Sequence, residues 1–270
     1  MVPRILICFL FLLAAVTSVW GAQRQFCLSC HAAHYVERGQ CTLCHLGNPA
    51  TERKNIAHGG MRAGKYARFT LGDATFRNEG EQLIDRLACR RCHVSGGRGN
   101  PLAVSLDGSA VQKTVGELSL SLRRPVAAMP DFGLDEERVT TLVNVILAGS
   151  QGRTSGDAVP VRVHFNNTHT KNTDIFTTKC GRCHRMLSQR RGALGSGEVA
   201  PNLSGLLSDF YPKTFRNGDV WTARELAGWL KNPRETRPWA KMQPVRLTDA
   251  ETKELESLLC ISPDVNKPSQ

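Results

Sequence analysis

The chain is short of most features that would place a basic protein of its size. Beyond residue 22 it has no apolar run long enough to cross a bilayer, so the remainder of the chain is expected to be soluble. No nucleic-acid recognition motif accompanies its formal charge of +11, which argues against a nucleic-acid partner. No βαβ pattern surrounds any Cys-x-x-Cys pair, which argues against a thioredoxin-like fold. No lipid anchor is predicted either. Cys8 follows Ile7 within an apolar run, Cys27 follows Phe26, and neither has the small preceding residue that lipid attachment needs.

The first 22 residues instead have the layout of a secretory signal. Arg4 supplies the positive end, residues 5–16 form an unbroken apolar run, and Val19-Trp20-Gly21-Ala22 offers a small-residue exit. Cleavage is expected after Gly21 or Ala22, with Trp20 an awkward neighbour, and the product would be periplasmic. The alternative is an uncleaved anchor holding the chain to the inner membrane. Removing this segment, whose only charge is Arg4, leaves +10 on 248 residues, about two ordinary domains.

Ten cysteines in an exported chain first suggest disulfides, but their spacing does not. Eight form four pairs, each followed at once by histidine: Cys27-Leu-Ser-Cys30-His31, Cys41-Thr-Leu-Cys44-His45, Cys89-Arg-Arg-Cys92-His93 and Cys180-Gly-Arg-Cys183-His184. This is the attachment sequence of c-type haem. Two thiols add to the two vinyl groups on one porphyrin edge, and the next residue presents imidazole to the iron. Zinc would explain the close pairing of Cys27/Cys30 with Cys41/Cys44, yet it needs neither His31 nor His45 and leaves the two later pairs isolated. The predicted cofactors are therefore four covalently bound haem c groups, one iron each. Their propionates offset part of the positive charge. Cys260, unpaired beside Leu255, Leu258 and Leu259, is expected to be buried and inert.

Residues 23–63 carry two motifs with little apolar sequence between them, and so cannot build a core from side chains alone. They read as a dihaem segment wrapped around its cofactors. Residues 64–150 and 172–262 repeat one order. In the first copy, Leu83, Ile84 and Leu87 mark a helix running into the motif. Gly96, Gly97 and Gly99 come next, then Leu122-Arg123-Arg124-Pro125 and Met129-Pro130, then a helix from about Asp135 bearing Val139, Leu142, Val143 and Ile146. The second copy has Gly192, Gly195 and Gly197, then Leu230-Lys231-Asn232-Pro233, Met242, and a helix opened by the capping-box pattern Thr248-Asp249-Ala250-Glu251. Residues 151–171 read as a polar linker with a short strand over 161–165, and residues 263–270 as a tail.

This order, found twice, resembles the class I cytochrome c domain, in which N- and C-terminal helices cross and a methionine loop covers the far face of the haem. The resemblance implies Met129 and Met242 as sixth iron ligands. Two close N-terminal motifs followed by two such domains also resemble the multihaem c-type cytochromes encoded with selenite/tellurite reduction operons of metal-reducing bacteria. The expected fold is mainly α: an N-terminal haem-wrapped dihaem segment, then two cytochrome c-like all-α domains.

A haem that only carries electrons keeps both axial positions filled by protein. His31, His45, His93 and His184 are the proximal ligands. For the first two haems, His34 and His58 fit best as distal ligands. His34 is expected to serve the haem of Cys41/Cys44 and His58 that of Cys27/Cys30, with Met61 as the alternative to His58. His164 and His169 read as solvated linker residues, and Met186 as packing. Four donors for four irons favour electron transfer between a redox-protein donor and acceptor. Such partners include a membrane quinol-oxidising complex or an outer-membrane conduit. The alternative is a haem reductase with one open iron acting on an oxyanion or peroxide. The basic loops Arg90-Arg91 and Gln189-Arg190-Arg191 would suit an anion, although propionate pairing or plain solvation explains them better.

Overall fold

A computed structural model describes residues 25–126, 128–153 and 174–262, and these are mainly helical. The signal segment, His164, His169, the strand expected over 161–165 and the tail at 263–270 lie outside the described residues. The chain divides into two units, residues 1–61 and 62–270, so residues 64–150 and 172–262 share one unit. Among the described residues no helix is long and apolar enough to cross a membrane.

In the N-terminal unit the described chain holds only short turns. Single 3₁₀ turns at Phe26–Ser29 and Val36–Arg38 precede helices α1 (Cys41–His45) and α2 (Lys54–Ala57). No side chain between residues 25 and 61 is buried, and Val36 and Leu43 are 72% and 65% exposed. The backbone closes on itself without a core, through Phe26 N–H to the Pro49 carbonyl (3.0 Å) and Asn48 N–H to the Ala57 carbonyl (2.9 Å). At Gly47, φ is +80° and an added Cβ would lie 2.6 Å from the Ala57 carbonyl oxygen, so only glycine fits this crossing.

The larger unit begins with two crossing helices. α3 (Ala74–Arg86) is capped by Asp73, whose carboxylate accepts from the N–H groups of Thr75 and Phe76. Two helices that sequence reasoning did not anticipate come next, α4 (Leu106–Gln112) and α5 (Val115–Arg123). The second opens on a capping box between Thr114 and Glu117. α6 (Glu136–Gly149) is capped by Asp135 and buries Val139, Leu142, Val143 and Ile146, the face expected of it. It crosses α3 at Gly80, where an added Cβ would come within 2.0 Å of Val145. Asn144, fully buried in α6, accepts from Phe69 N–H (3.0 Å) and donates to the Lys65 carbonyl (2.8 Å), tying the start of the unit to this helix.

The second half of the unit is built more loosely on the same order. α7 (Ile175–Lys179), capped by Asp174, has five residues where α3 has thirteen. An antiparallel hairpin comes after it, β1 (Met186–Ser188) and β2 (Gly192–Leu194), a small departure from the all-α expectation. α8 (Ala223–Lys231), α9 (Pro233–Thr236) and α10 (Asp249–Leu259) complete it, with α10 opened by the Thr248–Glu251 capping box. Leu255, Leu258 and Leu259 join a core around Phe176, and Met186 packs there at 2% exposure. Cys260, expected to be buried beside those leucines, is exposed: the helix ends at Leu259, and the extended backbone at residue 260 leaves the apolar face.

Candidate haem-binding site

One local geometry recurs in three of the motifs. The carbonyls of Cys27, Cys89 and Cys180 each accept from two N–H groups, those of the second cysteine and of the following histidine, at 2.9–3.3 Å. The second motif is itself a helix, α1. In the N-terminal unit such a tight turn holds two thiols and an imidazole together without a surrounding core.

In the N-terminal unit these turns bring four histidines into two pairs. His31 and His58 have ring centres 5.9 Å apart and planes inclined at 47°; His34 and His45 are 5.5 Å apart at 52°. A metal ion about 2 Å from a nitrogen of each of two opposed imidazoles sets the ring centres about 6 Å apart. Both pairs have that spacing, and each contains one motif histidine and one other. His34 is three residues from His31 yet meets His45; just beyond it the chain turns through Tyr35, at φ +48°. Met61, the alternative to His58, is 43% exposed. Among the described residues no three His, Cys, Asp or Glu side chains gather into a group that could hold a metal ion.

The third motif opens into a cavity of about 830 Å³, within the roughly 300–1,000 Å³ range of cofactor pockets. Cys89, His93, Met129, Leu102, Phe132 and Ile146 are among its walls. His93 Nδ1 lies 2.7 Å from the Val104 carbonyl. Desolvation pushes this imidazole below its ordinary pKa, so it is neutral; Nδ1 then carries the proton, and Nε2 keeps a lone pair for a metal. Gly99, at φ +126°, lets the following loop come so close that an added Cβ would lie 2.1 Å from the His93 carbonyl. Burial pushes the Cys89 thiol up to about 11 and raises Cys92 as well, the reverse of what a dithiol redox pair needs.

Arg90 neither faces an anion nor lies on a solvated face, the reading favoured for the Arg90-Arg91 loop. It is buried, paired with Glu81 and Asp85 of α3, and donates through Nε to the Ser95 carbonyl (3.1 Å). Arg91 reaches instead toward the second half, to the Asn202 carbonyl (3.3 Å). The other basic loop is the hairpin turn. Arg190 donates to Ser257 (2.5 Å), and Gln189 is bonded to the backbone of Ser262.

The fourth motif repeats the third. His184 Nδ1 lies 2.7 Å from the Pro201 carbonyl, and Gly195 would place a Cβ 2.4 Å from the His184 carbonyl. Burial also pushes the Cys180 thiol up to about 11. Met242 packs against the same core cluster as Cys180, and its sulfur accepts from Trp229 Nε1–H at 3.0 Å. Val104, Pro201 and Trp229 were missed in sequence. Two of them act through backbone carbonyls that no side chain advertises, and Trp229 reads as an ordinary apolar helix residue. Protein-family models, curated proteins and solved structures show no match to this chain.

Proposed function

We propose that this chain is an exported c-type cytochrome with four haems that passes electrons between redox proteins. The observation that carries this reading is the two close imidazole couples, His31/His58 and His34/His45, each containing the histidine of one cysteine pair. Thioether bonds from Cys27/Cys30, Cys41/Cys44, Cys89/Cys92 and Cys180/Cys183 would hold the cofactors. His31, His45, His93 and His184 supply one axial ligand each, and His58, His34, Met129 and Met242 the other. Bound there, haem provides a reversible one-electron couple. The protein's part is to fix ligand orientation, as the Val104 and Pro201 carbonyls do for His93 and His184, and to shield the iron from water and substrate. In the N-terminal unit, exposed Val36 and Leu43 are apolar surface that a haem face would cover. Periplasmic residence rests on the signal segment. The tie to selenite or tellurite reduction, and to a quinol-oxidising or outer-membrane conduit partner, rests on the family resemblance.

Low-temperature EPR of the oxidised protein, with covalent haem quantified alongside, tests this. Four haems, all low-spin, are expected in the wild type. His58→Ala is expected to convert one of them to high-spin while the covalent haem count stays at four. A wild type without covalent haem, or with a high-spin centre, would overturn the carrier reading; the second result would point to the open-site reductase.

A further inference from the structure

Resting on the haem reading above, we propose that the third haem site is composite, with one wall and the tether of its methionine loop supplied by the second half of the unit. The wall comes from the hairpin. Met186 and Ser188 of β1 are buried, and Leu187 between them is half-buried. Leu187, with Ser188 and Gln189 after it and Gly192 and Ala193 of β2, lines the same cavity as His93 and Met129. Its backbone N–H is pinned by Ser204 Oγ at 2.8 Å, so this wall is fixed within the second half.

The tether is Asn202. Its Oδ1 accepts from Ser204 N–H (2.9 Å) and Ser204 Oγ–H (2.6 Å), which sets the orientation of the amide. Nδ2 is thereby left to donate to the carbonyl of Ala128 (3.4 Å), the residue before Met129. The Asn202 carbonyl receives Arg91, which lies between Cys89 and Cys92, and the Pro201 carbonyl before it receives His184. One dipeptide therefore touches the proximal imidazole of the fourth site and both the motif and the methionine loop of the third. The halves cannot slide at this point. Asn100 Nδ2 donates to Ser208 Oγ at 2.7 Å, and a Cβ on Gly205 would lie 2.6 Å from the Arg91 carbonyl. Asn202 is a positioning residue: it acts on the iron ligand through the loop.

Asn202→Asp in the full chain separates the two jobs of the side chain. It keeps the acceptor for Ser204 but removes the N–H aimed at Ala128 and sets a carboxylate oxygen against that carbonyl. Proton NMR of the reduced protein resolves the methyl signal of each iron-bound methionine, and Met129→His and Met242→His assign the two. In Asn202→Asp the Met129 signal is expected to disappear or shift while that of Met242 stays in place. Leu187→Ala, which only trims the wall, is expected to move the Met129 signal to a smaller extent. Both signals unchanged in both variants, with four haems loaded, would overturn the composite site and leave the carrier reading standing. A wild type lacking covalent haem overturns both.

Discussion

Arg90 lies at 3% exposure between Glu81, Asp85 and the Ser95 carbonyl. Burial works against its charge, but the hydrogen bonds and attraction of the two carboxylates outweigh that, and its pKa is raised overall. The partners are less enclosed, with side chains 35% and 60% exposed. The two ways of breaking the cluster should therefore differ. Arg90→Met leaves both carboxylates in reach of water and costs about 1–2 kcal/mol. Glu81→Gln with Asp85→Asn strands a buried guanidinium and should cost about 3–5 kcal/mol. Denaturant midpoints of the two proteins check the order; the reverse order would mean that Arg90 is hydrated. Nothing in the doublet Arg90-Arg91 distinguishes an arginine folded under the preceding helix from one facing an anion. The difference arises because Arg90 lies five and nine residues after Asp85 and Glu81, and the left-handed backbone at Ala88 (φ +52°) turns the chain back toward them.

At the scale of elements, the crossing of α3 and α6 depends on Gly80. Glycine inside a helix costs about 1 kcal/mol relative to alanine, so propensity alone favours Gly80→Ala. The added methyl would lie 2.0 Å from Val145 Cγ2 and 3.2 Å from its Cβ, and a branched side chain on a helix has little freedom to turn aside. A net loss of about 1–2 kcal/mol is expected, less than the full cost of overpacking because propensity returns part of it. Val145→Ala added to Gly80→Ala should recover much of the loss, and thermal denaturation of the single and double variants checks this.

The same helices show what could be read in advance. The periodic faces of α3 and α6, the Asp135 cap and the Thr248–Glu251 box are local patterns, and they stand where they were expected. α4 and α5 went unread although Thr114 and Glu117 spell a capping box, because the helices are short and interrupted by Gly108 and Gly116. The hairpin's arginine turn looked like free charge, and Cys260 looked like one more core position. Both outcomes depend on where a helix or strand stops, which the chain's long-range packing decides. His34, three residues from His31 and expected to serve the haem of Cys41/Cys44, lies 5.5 Å from His45.

For the molecule as a whole, the proposed haem ligation would give the two units different donor sets, with a redox consequence. Two imidazoles lie 5.9 and 5.5 Å apart, centre to centre, in the N-terminal pairs, whereas in the larger unit His93 and Met129 line one cavity and Met242 packs on the same core as Cys180. Thioether ligation raises a haem's potential relative to a second imidazole. Met242 in addition has the Trp229 N–H directed at its sulfur. Donation into that sulfur makes it a poorer electron donor to ferric iron and raises the potential further. On the proposed ligation, the expected order is lowest for the two N-terminal sites, higher for the site of Met129 and highest for that of Met242, so that electrons entering at the N-terminal unit would run downhill. A hydrogen bond to a neutral group is worth about 1 kcal/mol, and about 59 mV corresponds to a tenfold change for one electron, so losing this contact should shift one couple by tens of millivolts. Potentiometric titration of the wild type and of Trp229→Phe checks both parts. The wild type should resolve separate steps, and the variant should lower only the uppermost. Four haems titrating at a single potential would remove the gradient, and an unmoved upper step in Trp229→Phe would mean that the indole does not act on the iron ligand.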